Sequence, residues 1–127
     1  MLLAILLATA CHESVSGPGP KEDRVRPGSW GGTTAGLEVT ETSATAAFVC
    51  ARGRIDQPIL LDRENRFDVS GTYIVEVGPG SFPYPARYSG RIDGDRMILT
   101  VRRLDSDQVV GPYNLTFGVS FRGIFCV

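Results

Sequence analysis

The chain has 127 residues, of which 43% are hydrophobic and 21% charged, with a net charge of −1. That length holds one domain plus tails, and the near-neutral balance excludes a general electrostatic pull toward nucleic acid or acidic lipid. Twelve of the thirteen basic residues are Arg, Lys21 being the exception. They are scattered along the chain, so GC-rich codon usage accounts for them better than an Arg-lined recognition surface.

Residues 2–8, "LLAILLA", have the length of a short signal-peptide core and are far too few to span a bilayer. Ala8 and Ala10 then precede Cys11. This "L-A-T-A-C" resembles the lipobox of bacterial lipoproteins. The resemblance implies a signal peptide over 1–10, cleavage before Cys11 and a diacylglycerol on its sulfur. It also implies an exported protein held at a bacterial membrane or envelope by the lipid. No Lys or Arg precedes the apolar run, which departs from that family. An ordinary secretory signal with a free Cys11 is the competing reading. If Cys11 carries lipid, Cys50 and Cys126 remain as a pair that an oxidising compartment lets join. The bond would close a loop of about 76 residues, contributing about 4 kcal/mol in the chain-entropy model. Two buried free thiols are the alternative.

Residues 11–28 hold Cys11 and the polar, Pro- and Gly-rich "HESVSGPGPKEDRVRPG", which reads as a flexible linker. Fully extended it would reach about 50 Å. The folded domain is expected over 29–127.

Within it, short strand-like runs alternate with turn signals. "LEVTET" places Leu37 and Val39 on one face, and "ATAAFVC" places Ala46, Phe48 and Cys50. "GRID" and "ILL" flank Gln57-Pro58. "RFDVSGTYIVEV" aligns Phe67, Val69, Gly71, Tyr73 and Val75, and "ARYSGRI" aligns Ala86, Tyr88, Gly90 and Ile92. "RMILTVRR" aligns Met97, Leu99 and Val101, and "QVVGPYNLTF" aligns Val109, Gly111, Tyr113, Leu115 and Phe117. A final run, "SFRGIFCV", reaches the C-terminus with a parity that needs a bulge at Gly123. Asp93-Gly94 between two alternating runs is a two-residue hairpin signal. The pattern predicts an all-β domain: a small antiparallel up-and-down barrel of about eight strands, with a β-sandwich as its rival.

Ahead of these runs stands Gly28-Ser29-Trp30. It resembles the G-x-W that opens the barrels of the calycin group: lipocalins, avidins and bacterial metalloprotease inhibitors. The domain also looks like small uncharacterised bacterial proteins with a "W-G-G" start and a cysteine pair. The calycin resemblance implies that Trp30 closes one barrel end and that a basic residue near the last strand, Arg122, packs over it. The lipocalin T-D-Y motif and C-terminal helix are missing.

No catalytic set assembles. His12 is the only histidine and lies in the linker, so neither a Ser-His-Asp nor a Cys-His pair forms in the domain. The pairs Asp93/Asp95 and Asp105/Asp107 fall in turns, where Asp bonds its own backbone. No metal site or cofactor is expected. The stretch "GPGSFPYPARY", residues 78–88, reads as the longest irregular loop. Its Phe82 and Tyr84 alternate with prolines, as in a preset contact loop, or else they plug the barrel end. The small inward residues Ala46, Gly71, Ala86, Gly90 and Gly111 either leave room for one apolar ligand or serve only to coil the strands tightly around the inward aromatics, and no inward charge is evident. The expected function is therefore binding rather than catalysis. A small apolar ligand inside the barrel comes first. A protein partner at the 78–85 end comes second, in the manner of a protease inhibitor, and a structural envelope role third.

Overall fold

The structure is a computed structural model that describes residues 23–123. Cys11, His12 and Cys126 lie outside the described residues. Eight antiparallel strands follow in chain order: β1 (Gly28–Gly31), β2 (Ala35–Val39), β3 (Ala44–Phe48), β4 (Ala51–Ile55), β5 (Arg66–Val77), β6 (Gly80–Asp93), β7 (Arg96–Arg103) and β8 (Val109–Phe117). Each pairs with the next, and β8 returns to β1 through Trp30↔Phe117 and Gly31↔Thr116. The sheet is a closed up-and-down barrel, as the period-two runs predict. Closure rules out a sandwich and removes most free edges.

The strand inventory differs from the expected one in three places. Gly28-Ser29-Trp30 does not merely precede the first strand; it is the first strand. "ILL" adds no barrel strand. Ile59 instead accepts the Val25 amide at 2.9 Å, and Leu60 bridges Arg24. The last barrel strand ends at Phe117, and residues 118–123 form no strand. They turn back along the outside instead, where Phe121 stands against Gly36: a Cβ there would lie 2.4 Å from the Phe121 Cβ.

Alternate residues of every strand point inward. Tyr88 fills the middle of the barrel, fully buried. Its hydroxyl donates to the Thr72 carbonyl at 2.7 Å, so the buried polar atom is satisfied. Gly53 and Gly71 exist to make room for it. A Cβ on Gly53 would stand 1.8 Å from the Tyr88 hydroxyl, and one on Gly71 2.7 Å from its ring. The small inward residues thus accommodate a large neighbour. Leu37, Ile55, Leu99, Val101 and Leu115 complete the layer, all 1% exposed or less.

One end of the barrel receives the chain from its N-terminal side. There the Val25 and Ile59 side chains are 2% exposed, and the Leu61 amide donates to Asp23. Folded structure therefore starts by Asp23, ahead of the residue-29 boundary that the Pro- and Gly-rich composition suggests. Trp30, 1% exposed, meets Phe117 edge to face at 5.0 Å, and its indole N–H donates to the Arg26 carbonyl at 2.9 Å. Trp30 therefore closes this end. The cation over it is Arg26, whose guanidinium lies 3.8 Å from the Phe117 ring centre and 6.0 Å from that of Trp30, held by Asp95. Arg122, the expected partner, is instead exposed on the outer wall beside Gly31, Thr33 and Asn114. It follows β8 on the tail that turns back outside, so it cannot lie over the plug. The neighbouring hairpin also turns one residue later than expected: Asp93 pairs with Arg96, leaving Gly94-Asp95 as the turn.

Candidate functional site

The opposite end is built around the β5–β6 hairpin, the longest in the molecule. Its ladder runs without a break from Arg66↔Arg91 to Val77↔Gly80. Residues 78–88 are thus not a loop. Only Gly78 and Pro79 turn the chain, with Gly78 supplying the positive φ of 56° that a two-residue primed turn needs at its first position. The rest is strand, despite Pro83 and Pro85.

The ladder explains why those prolines are tolerated. β7 pairs with β6 only from Ala86 onward, so residues 80–85 have β5 on one side and no strand on the other among the described residues. The Pro85 carbonyl accepts the Leu104 amide at 2.9 Å, so the main-chain groups of residue 85 point to the β7 side. Residue 83, two positions back, points the same way. Both missing N–H groups therefore fall on the open edge, where no ladder bond is lost.

Toward the rim, the inward face of this hairpin carries Tyr73, Val75, Phe82 and Tyr84. Phe48 lies 5.3 Å from Tyr73 and 5.5 Å from Tyr113, ring centre to ring centre. Burial raises the pKa of the Tyr73 and Tyr113 hydroxyls, and that of Tyr88 below them most of all. Over this layer lies Arg103, 3.7 Å above the Tyr84 ring. It is held by Asp105 through two bonds of 3.0 and 2.7 Å and by the Gln108 side chain at 3.2 Å. The bond to Arg103 lowers the Asp105 pKa, and the same bond raises that of Arg103.

Arg103 corrects the expectation that no charge faces inward. Met97, Leu99 and Val101 alternate inward, and the next step of that period is residue 103. The signal was present; extending the apolar series one residue past its last aliphatic member finds it.

Around the aromatic layer the rim is apolar. Val49, Val77, Phe82, Leu104 and Val109 are 44–59% exposed and all lie at this end, out of eight exposed large hydrophobics among the described residues. The charges beside them are paired: Arg52 with Glu76, Arg102 with Asp107 and Arg103 with Asp105. The structure thus brings Phe82 and Tyr84 together at one rim, with Phe82 open and Tyr84 covered by Arg103. Cys50 lies at the same rim, in the β3–β4 turn, where its carbonyl accepts the Glu76 amide at 3.3 Å. Trp30 stands at the far end of the barrel, and Arg122 stays apart from both.

No protein-family model, curated protein or solved structure matches this chain.

Proposed function

We propose that this chain is an exported, lipid-anchored binding module that contacts a protein partner through the hairpin end of its barrel. The observation that carries this reading is the placement of the exposed apolar residues. Among the described residues, five of eight gather at the rim opposite the end where the N-terminal segment enters. A chain tethered through Cys11 would present that rim away from the membrane. Paired charges around an apolar centre suit the chemistry of a protein interface, where charge is depleted at the core and aromatic anchors dominate. The calycin likeness of Gly28-Ser29-Trp30 accords with the closed eight-strand barrel. A small apolar ligand inside is less well supported, because Tyr88 occupies the middle.

The cysteine pairing fits the same picture. The C-terminal segment climbs the outer wall at Gly36 toward the rim that carries Cys50. The five residues that follow Phe121, ending at Cys126, reach roughly 17 Å at ~3.3 Å per residue. A Cys50–Cys126 bond would staple that segment beside the contact surface.

A photoreactive residue at position 82, introduced in the native envelope, tests the proposal. One discrete protein adduct is expected, and it should vanish in the Tyr84→Ala background. The same label at position 96, near the other end, should not give it. An adduct seen equally from both positions, or none from position 82, refutes the contact surface. Anchoring is checked separately: Cys11→Ala should move the protein to the soluble fraction.

A further inference from the structure

A second surface lies on the outer wall of β5, β6 and β7, near the end where the N-terminal segment enters. It is an open groove of about 790 Å³, within the ~300–1,000 Å³ of small-molecule sites. Its apolar part comes from Leu60, Leu61 and Ile98. Leu60 is 61% exposed and Ile98 37%. These are the only two exposed large hydrophobics, among the described residues, on neither the hairpin rim nor the C-terminal tail.

The polar lining holds two guanidinium groups, Arg66 and Arg91, and two carboxylates, Asp62 and Asp68, and what distinguishes them is which are paired. Arg66 and Arg91 stand directly opposite each other across the β5–β6 ladder. Like charges so placed repel. Arg66 is compensated by Asp62 at 3.7 Å and Glu64 at 3.2 Å, and the nearby Asp68 is taken by Arg87 at 2.9 Å. The Arg91 side chain has no ion-pair or hydrogen-bond partner among the described residues. It is flanked on its own strand by Ser89, and Ile98 is its partner on β7. One free guanidinium therefore borders an apolar trough.

We propose that this groove binds a single-chain carboxylate amphiphile, a molecule of fatty-acid type. Its head pairs with Arg91 and accepts a bond from the Ser89 hydroxyl. Its chain lies over Ile98 and Leu60. A guanidinium fork suits a planar carboxylate bidentately, and the anion relieves the Arg66–Arg91 opposition. Asp62 and Asp68, the carboxylates of the groove, are already engaged by Arg66 and Arg87, so a cationic head would meet Arg91 with no open anion beside it, and a neutral one would leave Arg91 unpaired.

Photo-crosslinking of the full chain with diazirine-tagged dodecanoate, read by peptide mass mapping, tests this. Adducts are expected on the peptides that contain Leu60–Asp62 or Ile98–Thr100. Excess dodecanoate should compete, while dodecyltrimethylammonium should not. Arg91→Gln, at an exposed position that leaves the barrel intact, should lower the yield about tenfold, the loss expected of one charge-assisted pair. Ile98→Asp should abolish labelling, with an unchanged circular dichroism spectrum as the control for folding. Labelling that is scattered, or confined to the hairpin rim, overturns the proposal. So does labelling unaffected by Arg91→Gln, or equal competition by the cationic amphiphile, as a bare lipid or micelle surface would give.

Discussion

Trp30 and Phe82 are both aromatic residues at a barrel end, and they meet opposite fates. Trp30 is 1% exposed, satisfies its indole N–H on Arg26 and packs edge to face on Phe117. Phe82 is 48% exposed, on a hairpin that outruns its neighbouring strands. The difference lies in what each end must do with its backbone. At the entry end, the segment from Asp23 to Pro27 and residues 59–61 form a short ladder across the opening, and the ring beneath it becomes core. At the hairpin end, β5 and β6 extend past the rim, and nothing described lies above Phe82. Each end also sets one arginine on an aromatic ring, Arg26 on Phe117 and Arg103 on Tyr84. At the entry end that cation covers a finished plug. At the hairpin end it covers Tyr84 and leaves Phe82 bare. Burial of Trp30 serves stability; exposure of Phe82 is what the proposed contact surface needs.

The largest expected effect tests the plug. Trp30→Ala should cost about 3–5 kcal/mol, as large-to-small changes at buried aromatic sites do. Phe82→Ala should cost less than about 1 kcal/mol, as surface changes do. Urea unfolding of both variants measures the contrast directly. Equal losses would mean that the two ends are energetically alike.

The layer between the ends gives the next effect. Gly53→Ala drives a methyl into the Tyr88 hydroxyl and should cost about 1–3 kcal/mol through overpacking. Tyr88→Phe removes that hydroxyl and leaves the Thr72 carbonyl without its donor, at about 1–3 kcal/mol. The double variant should be more stable than the sum of the two single losses predicts, because the deleted oxygen is the atom struck. Additive losses in a double-mutant cycle would mean that the Gly53–Tyr88 contact does not shape the middle.

Alkaline pH probes the same layer. Burial raises the Tyr88 pKa well above that of the unfolded chain, and those of Tyr73 and Tyr113 in the same direction. The folded state then holds its protons longer than the unfolded one. Stability from this source is complete below about pH 10 and falls as pH rises beyond it, by about 1.4 kcal/mol per pH unit for one proton. Denaturant midpoints between pH 8 and 11 should show the fall. Tyr88→Phe should reduce it by at least the share of Tyr73 or of Tyr113, since Tyr88 is the most deeply buried of the three. A flat profile in the wild type would contradict the burial.

Most of the barrel is legible in the sequence because its inward face alternates with solvent, as Phe67, Val69, Tyr73, Tyr88 and Leu99 do. What stays hidden is whatever depends on strand partners. "GPGSFPYPARY" reads as a loop because three prolines and three small turn formers outweigh its aromatics, and the one-sided pairing that tolerates Pro83 and Pro85 is invisible in one dimension. The Trp30 cation escapes for a similar reason. Arg26 reaches the plug from a segment whose composition looks like tether, and only the Val25–Ile59 ladder turns it into structure. Arg103 sits in phase with an apolar series but ends it, so the period alone marks it.

The smallest effect on stability, and the most informative about the open edge, concerns the prolines. Residues 80–85 expose an unpaired strand edge beside an apolar rim, an arrangement that invites a second chain to extend the sheet. Pro83 and Pro85 deny that edge two donors. Pro83→Thr with Pro85→Thr restores them and keeps strand propensity high. Since neither proline donates in the native ladder, folding stability should change by only about 0.5 kcal/mol. The gain should appear as self-association. Sedimentation velocity should show the wild type as one monomeric species across a concentration series, and the double variant shifting to dimers as concentration rises. Adding Phe82→Ala should weaken that dimer, because the aromatic lies on the same hairpin and would be buried by pairing. If the double variant stays monomeric throughout, the prolines do not guard this edge. The hairpin end would then owe its openness to the apolar rim alone.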